Sequence, residues 1–341
     1  MGRMLTTSER VDRVTRAENY PPRSLQISGA LSPSSIRRQL TEALDLYFAL
    51  CAISRGKGTE PGLTLRANAA VFPMRVKIEQ AIMKACLAQL RFTKDPTPFL
   101  SGAMFGVSKK QGTSLRFPLA SCQPTSVCAS ACYAHDALDA APNSVIRGAL
   151  NGAVGLWFRE LSLKERPLYI KYFQKDIQRA VRNSLSELDL LPADYKRPAF
   201  IRFAHVGDAA AYTELANVLA AEVVKISLGK VQCVVYSRHK KALLFDPKLF
   251  VVNFTLDGSS LDREKWIPPF ARRVFSAFGG EVDPGSEINF LEHHRWHHSE
   301  PIGEGNICPA TRPEALEHTC DAVRCHKCFV KPFVELTYSC R

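Results

Sequence analysis

Apolar residues recur every three or four positions over two stretches near the start of the chain. Ile36, Leu40, Leu44, Tyr47, Phe48 and Cys51 predict a helix that Ser34 or Ser35 can cap. Gly56, Gly58, Pro61 and Gly62 break that pattern. Val76, Ile78, Ile82, Met83, Cys86 and Leu90 predict a second helix from about 73 to 92. Cys51 and Cys86 sit on those apolar faces and read as core thiols. Beyond Pro96 the texture changes. Residues 115–119 predict a short strand, and 144–160 and 168–188 predict helices. Four apolar runs rich in β-formers follow, at 199–205, 231–236, 250–256 and 273–278, the first two separated by a helical segment at 210–224.

Strands that alternate with helices or crossovers predict a parallel sheet with covered faces. Several such units in series predict an α/β fold, a partial or complete (β/α) barrel, whose working groups collect at the carboxyl ends of the strands. The four runs end in polar groups. The first ends in His205-Val206-Gly207-Asp208, the second in Ser237, Arg238 and His239. The third holds Asn253 and Thr255 and finishes in Asp257-Gly258-Ser259-Ser260, and the fourth ends in Gly279-Gly280-Glu281. One polar strand end is an ordinary turn. Four in series predict the rim of a site.

Composition narrows the setting. The chain has 341 residues, 46% of them hydrophobic and 23% charged, enough for one large domain or two ordinary ones with a real core. Four regions are expected: a basic arm without fixed structure over 1–30, helices over 31–95, a barrel-like domain over 96–300 and a cysteine-rich segment over 301–341. The net charge of +12 favours a polyanionic partner such as nucleic acid, met through a basic surface. Part of the surplus is local, in Arg3, Arg10, Arg13, Arg16 and Arg23, where a solvated arm explains it equally well. No apolar run suits a signal peptide or a membrane span, so a cytoplasmic protein with no membrane partner is expected. In that setting eleven cysteines point to metal or redox work and away from disulfides.

The cysteines form two groups. Cys122-x5-Cys128-x3-Cys132 follows the first short strand, with Tyr133-Ala134-His135 behind it. Three thiolates within a loop can share one centre and leave a coordination position open, as a reactive site requires. An iron–sulfur cluster, a zinc ion with His135 as fourth ligand, and three unligated thiols are the alternatives. Cys308-x11-Cys320-x4-Cys325-x2-Cys328 offers a complete set for zinc or for a [4Fe–4S] cubane, which favours a structural or electron-relay centre. His318 and His326 lie inside that run. The tract His293-His294-Arg295-Trp296-His297-His298 reads either as a metal-binding stretch or as a solvated loop.

Leu100-Ser101-Gly102, the run Ser114-Leu115-Arg116-Phe117-Pro118-Leu119-Ala120, Cys122, Cys128 and Cys132-Tyr133-Ala134, Ile201-Arg202-Phe203 through Asp208, and Ile307-Cys308-Pro309 with Cys320, Cys325 and Cys328 resemble the phage gene-product-88 family. The likeness covers about residues 96–330 and implies a protein of a phage, plasmid or other mobile element. More distantly, the chain resembles radical S-adenosylmethionine (SAM) enzymes. In those a three-cysteine loop after the first barrel strand holds a [4Fe–4S] cluster and SAM fills its open site. That resemblance implies metal ligation by Cys122, Cys128 and Cys132 and a cofactor pocket that includes Gly207, Asp208, Ser237 and Asn253. The C-terminal cysteines would form an auxiliary centre. The loop spacing differs from the Cys-x3-Cys-x2-Cys usual in those enzymes. A zinc-stabilised nucleic-acid-binding protein without catalytic activity is the alternative expectation.

Overall fold

The computed structural model describes residues 25–29, 31–54, 61–100, 104–108, 112–130, 132–135, 141–191, 193–194, 196–277, 282–291, 307–308 and 327–331. Residues 1–24 of the basic arm, the 293–298 histidine tract, Gly279-Gly280-Glu281, Cys320 and Cys325 lie outside these. The chain divides into two compact units, one running to Met104 and resuming at Arg116–Ser162, the other made of Phe105–Leu115 and the chain from Leu163 onward.

The first unit is helical: α1 (Pro33–Gln39), α2 (Thr41–Ser54), α3 (Pro61–Thr93), α4 (Thr97–Leu100), α5 (Ser126–Ser130) and α6 (Pro142–Glu160). Ser32, two residues before the nearer of the expected caps, closes the start of α1 by accepting from the Ser35 N–H. The second predicted helix extends well beyond its expected start. Pro73, read as its beginning, lies inside α3, which runs from Pro61. A proline costs a helix only its own N–H bond and a ring clash one turn back, and the apolar face on either side outweighs that here. Val71, Met74, Ile78, Ile82, Cys86 and Leu90 of α3 are buried. So are Val145, Ile146, Ala149, Leu150, Ala153, Trp157 and Phe158 of α6, which packs on α3. Cys51 and Cys86 are buried core thiols as read, and burial pushes the Cys86 thiol up to about 12.

The second unit is an α/β sheet of seven strands in sequential order: β1 (Phe105–Ser108), β2 (Gly112–Leu115), β3 (Ala199–Phe203), β4 (Val231–Ser237), β5 (Phe250–Leu256), β6 (Arg272–Ala277) and β7 (Ile288–Leu291). β1 and β2 form an antiparallel hairpin, and every later pair is parallel. The sheet is open among the described residues, an α/β arrangement compatible with the partial form of the expected fold. The predicted 115–119 strand ends earlier, because Pro118 cannot donate to a ladder and the chain turns into a 3₁₀ segment at Leu119–Ser121.

Side chains alternate between the two faces. Phe203, Cys233, Val235, Phe250, Val252 and Phe254 are buried together, and α8 (Gln174–Ser186) packs on β3 while α9 (Thr213–Ser227) packs on β4. A short α7 (Arg166–Tyr169) precedes α8. Phe200, Val234, Val251, Val274 and Ile288 form a second apolar cluster, covered by Cys308, Cys328 and Phe329. Phe329 stacks on Phe200 with ring centroids 3.9 Å apart. Cys308, Cys328 and Phe329 are thus part of the core of this unit. Phe329→Ala is expected to cost about 3 kcal/mol or more of unfolding free energy in a urea titration, whereas a peripheral segment would show almost no change.

Candidate functional site

In the helical unit the cysteine loop is fixed near both of its ends by one buried polar relay. Arg75 and Glu79 lie one turn apart on α3, and neither side chain has any exposure. Glu79 Oε2 accepts the Ala120 N–H at 2.9 Å, just before Cys122. Arg75 donates to the Tyr47 hydroxyl at 3.2 Å, and that hydroxyl lies 2.9 Å from His135 Nδ1, just beyond Cys132. Burial raises the Tyr47 pKa far above its usual value against the pull of Arg75, so the phenol stays neutral. Gly148 lets α6 approach the loop entry: a Cβ there would lie 3.2 Å from the Phe117 carbonyl oxygen.

Between the anchors, Cys122 ends the 3₁₀ turn and donates its N–H to the Leu119 carbonyl at 2.9 Å. Thr125 opens α5, its hydroxyl accepting the Cys128 N–H at 3.0 Å. His135 N–H reaches back to the Cys132 carbonyl at 3.2 Å. The three thiols are half-buried. Their soft donor chemistry and incomplete count suit an iron–sulfur cluster or zinc. Among the described residues, no three or more His, Cys, Asp or Glu side chains are gathered as a metal-binding group.

In the sheet unit the carboxyl ends of β3 to β6 carry a connected polar rim. The chain leaves β3 through Ala204 and Gly207, at φ 68° and 78°. The Ala204 and His205 N–H groups both reach the Leu115 carbonyl, at 3.0 and 3.3 Å, which ties this exit to the end of β2. Asp208 then accepts from the Ala210 N–H at 2.9 Å, from the Ser237 hydroxyl at 2.9 and 3.0 Å, and from the Arg238 N–H at 3.1 Å. The Arg238 guanidinium pairs with Asp257 and donates to Ser276 Oγ at 3.0 Å. Arg238, Asp257 and Ser276 complete the network; the run of polar strand ends pointed to the first two, and nothing in the sequence marked Ser276. His239 is held neutral, its pKa lowered to about 4 by burial and then by Lys241 and Lys240.

Asn253 lies deeper, fully buried on β5. Its amide donates to the Cys328 carbonyl at 3.2 Å and accepts from Arg272 at 3.1 Å, tying the sheet to the C-terminal segment. Cys308 and Cys328 are buried in the apolar cluster on the sheet. Comparison with protein-family models, curated proteins and solved structures finds no match. Among the described residues no helix is long and apolar enough to cross a membrane.

Two outcomes follow. Glu79→Gln leaves the Arg75 charge buried without its carboxylate and is expected to cost about 3 kcal/mol or more in chemical denaturation; an unchanged midpoint would contradict the anchoring role. Burial pushes the Asp208 pKa from 3.8 to about 6, against the pull of its hydrogen-bond donors. The folded state therefore holds this proton more tightly, and stability falls as pH rises from about 4 to 6, by an amount on the order of 3 kcal/mol. Asp208→Asn should remove that slope from a stability profile measured against pH.

Proposed function

We propose that the chain is an iron–sulfur protein of radical-SAM-like type, with Cys122, Cys128 and Cys132 as the cluster ligands. The observation that carries the reading is the anchoring of the loop: Ala120 on Glu79 and His135 on Tyr47 bracket all three thiols. Fixing both ends of a short loop lowers the entropic cost of drawing its thiols together, so that ligation and local folding occur in one step. The sequential parallel sheet with a polar rim at four strand ends supports the comparison with partial (β/α) barrels.

In this reading Gly207, Asp208 and Ser237 belong to the pocket for the polar part of SAM. Asn253 supports it from below by bracing β5 to the C-terminal segment. A cluster with an open coordination position supplies one-electron chemistry when bound. The protein's own part is to hold the ligand loop and to keep Asp208 buried among donors. Cys308, Cys320, Cys325 and Cys328 are the ligands of an auxiliary centre, and a protein of a phage or other mobile element is the source that the sequence resemblance implies.

A second reading is favoured by the Tyr47–His135 contact and the net charge of +12. A ring whose Nδ1 is held by a neighbour can turn its other nitrogen to a metal, which makes His135 a fourth ligand for zinc in a nucleic-acid-binding protein. Anaerobic reconstitution with iron and sulfide separates the two. The expected result is a reduced cluster whose electron paramagnetic resonance spectrum changes on adding SAM. Zinc without iron, together with salt-sensitive binding to DNA, would select the second reading instead.

A further inference from the structure

The helical unit contains a cavity of about 310 Å³ that is independent of the cysteine loop. Phe99, Ile146 and Leu150 give it apolar walls, Asn151 lines it, and Arg37 and Arg147 add two cations. No acidic side chain is among its described lining residues. Its size lies at the small end of the range for ligand sites.

The orientation of Asn151 makes the cavity chemically specific. Asn151 is 2% exposed, and its amide nitrogen lies 3.3 Å from the Met104 carbonyl oxygen and 2.8 Å from that of Arg116. Two carbonyl oxygens demand the NH₂ group on that side, so the assignment of the amide is fixed by its neighbours. The carbonyl oxygen of Asn151 is then left to the cavity, and it accepts no hydrogen bond among the described residues. An acceptor that lines a cavity offers a ligand N–H a hydrogen bond that fixes its orientation. Arg37 is exposed and makes no side-chain bond or ion pair among the described residues.

We infer that this cavity binds a nucleoside monophosphate, free or at the end of a strand. The base lies against Phe99, Ile146 and Leu150 and gives an N–H to Asn151, while the phosphate meets Arg37 and Arg147. Every base carries an N–H donor and an apolar face, and a phosphate suits paired guanidinium groups better than a lone cation does.

The test is calorimetric titration of the full chain with AMP, CMP, GMP and UMP. At least one is expected to bind saturably, with the matching nucleoside and inorganic phosphate each weaker by about tenfold or more. Arg37→Glu should weaken binding by about tenfold while circular dichroism stays unchanged, and Arg37→Lys should lose less. Tighter binding of a 5′-phosphorylated dinucleotide would assign the site to a strand end and weaker binding to the free nucleotide, and both uphold it. No saturation by any of the four up to about 10 mM, or equal affinity in Arg37→Glu, would overturn it.

Discussion

The helical unit turns on one buried ion pair. Arg75 and Glu79 are fully enclosed, a costly place for two charges unless each is used. Each is used. Glu79 takes a backbone N–H from the start of the cysteine loop, and Arg75 acts through Tyr47 on His135 at its end. A hydrophobic pair of the same volume would fill the space between the helices equally well, but would hold neither end of the loop. The pair therefore trades stability for position, which is the familiar reason to keep charge inside a core.

The sheet unit solves a similar problem with a different device. Its strand ends are polar, and Asp208 gathers donors from its own turn and from the end of β4, while Arg238 carries the network on to Asp257 and Ser276. Each strand end is thus fixed by the next. At the same time Asn253 and Arg272 brace the sheet against the C-terminal segment, whose Phe329, Cys308 and Cys328 complete an apolar layer. Those two cysteines are held in the core although their chemistry suits metal ligation.

Much of this was legible in the sequence because it follows from period and composition. The α6 helix, the run from β3 to β6 and the buried state of Cys51 and Cys86 all follow from apolar spacing. The β1–β2 hairpin was not legible. Its strands are four residues each and carry glycine, so they lack an apolar run long enough to read. The Arg75–Glu79 pair left a faint signal, two opposite charges one turn apart beside Met74, Ile78 and Ile82. Such a pair normally marks a solvated helix face, and only tertiary packing reveals it as buried. Tyr47 falls in the helical spacing as one more apolar position, which hides its hydroxyl. The pattern of polar strand ends places Asn253 in the rim, whereas its neighbours across the sheet draw it into the brace with Arg272.

The central proposal is that the bracketed thiols close on an iron–sulfur cluster. Its most direct measurement is the iron and acid-labile sulfide content of the reconstituted chain beside that of a variant carrying Cys122→Ala, Cys128→Ala and Cys132→Ala. The account predicts that the variant loses about four irons and about four sulfides per chain relative to the parent. Equal iron and sulfide in both proteins would contradict it.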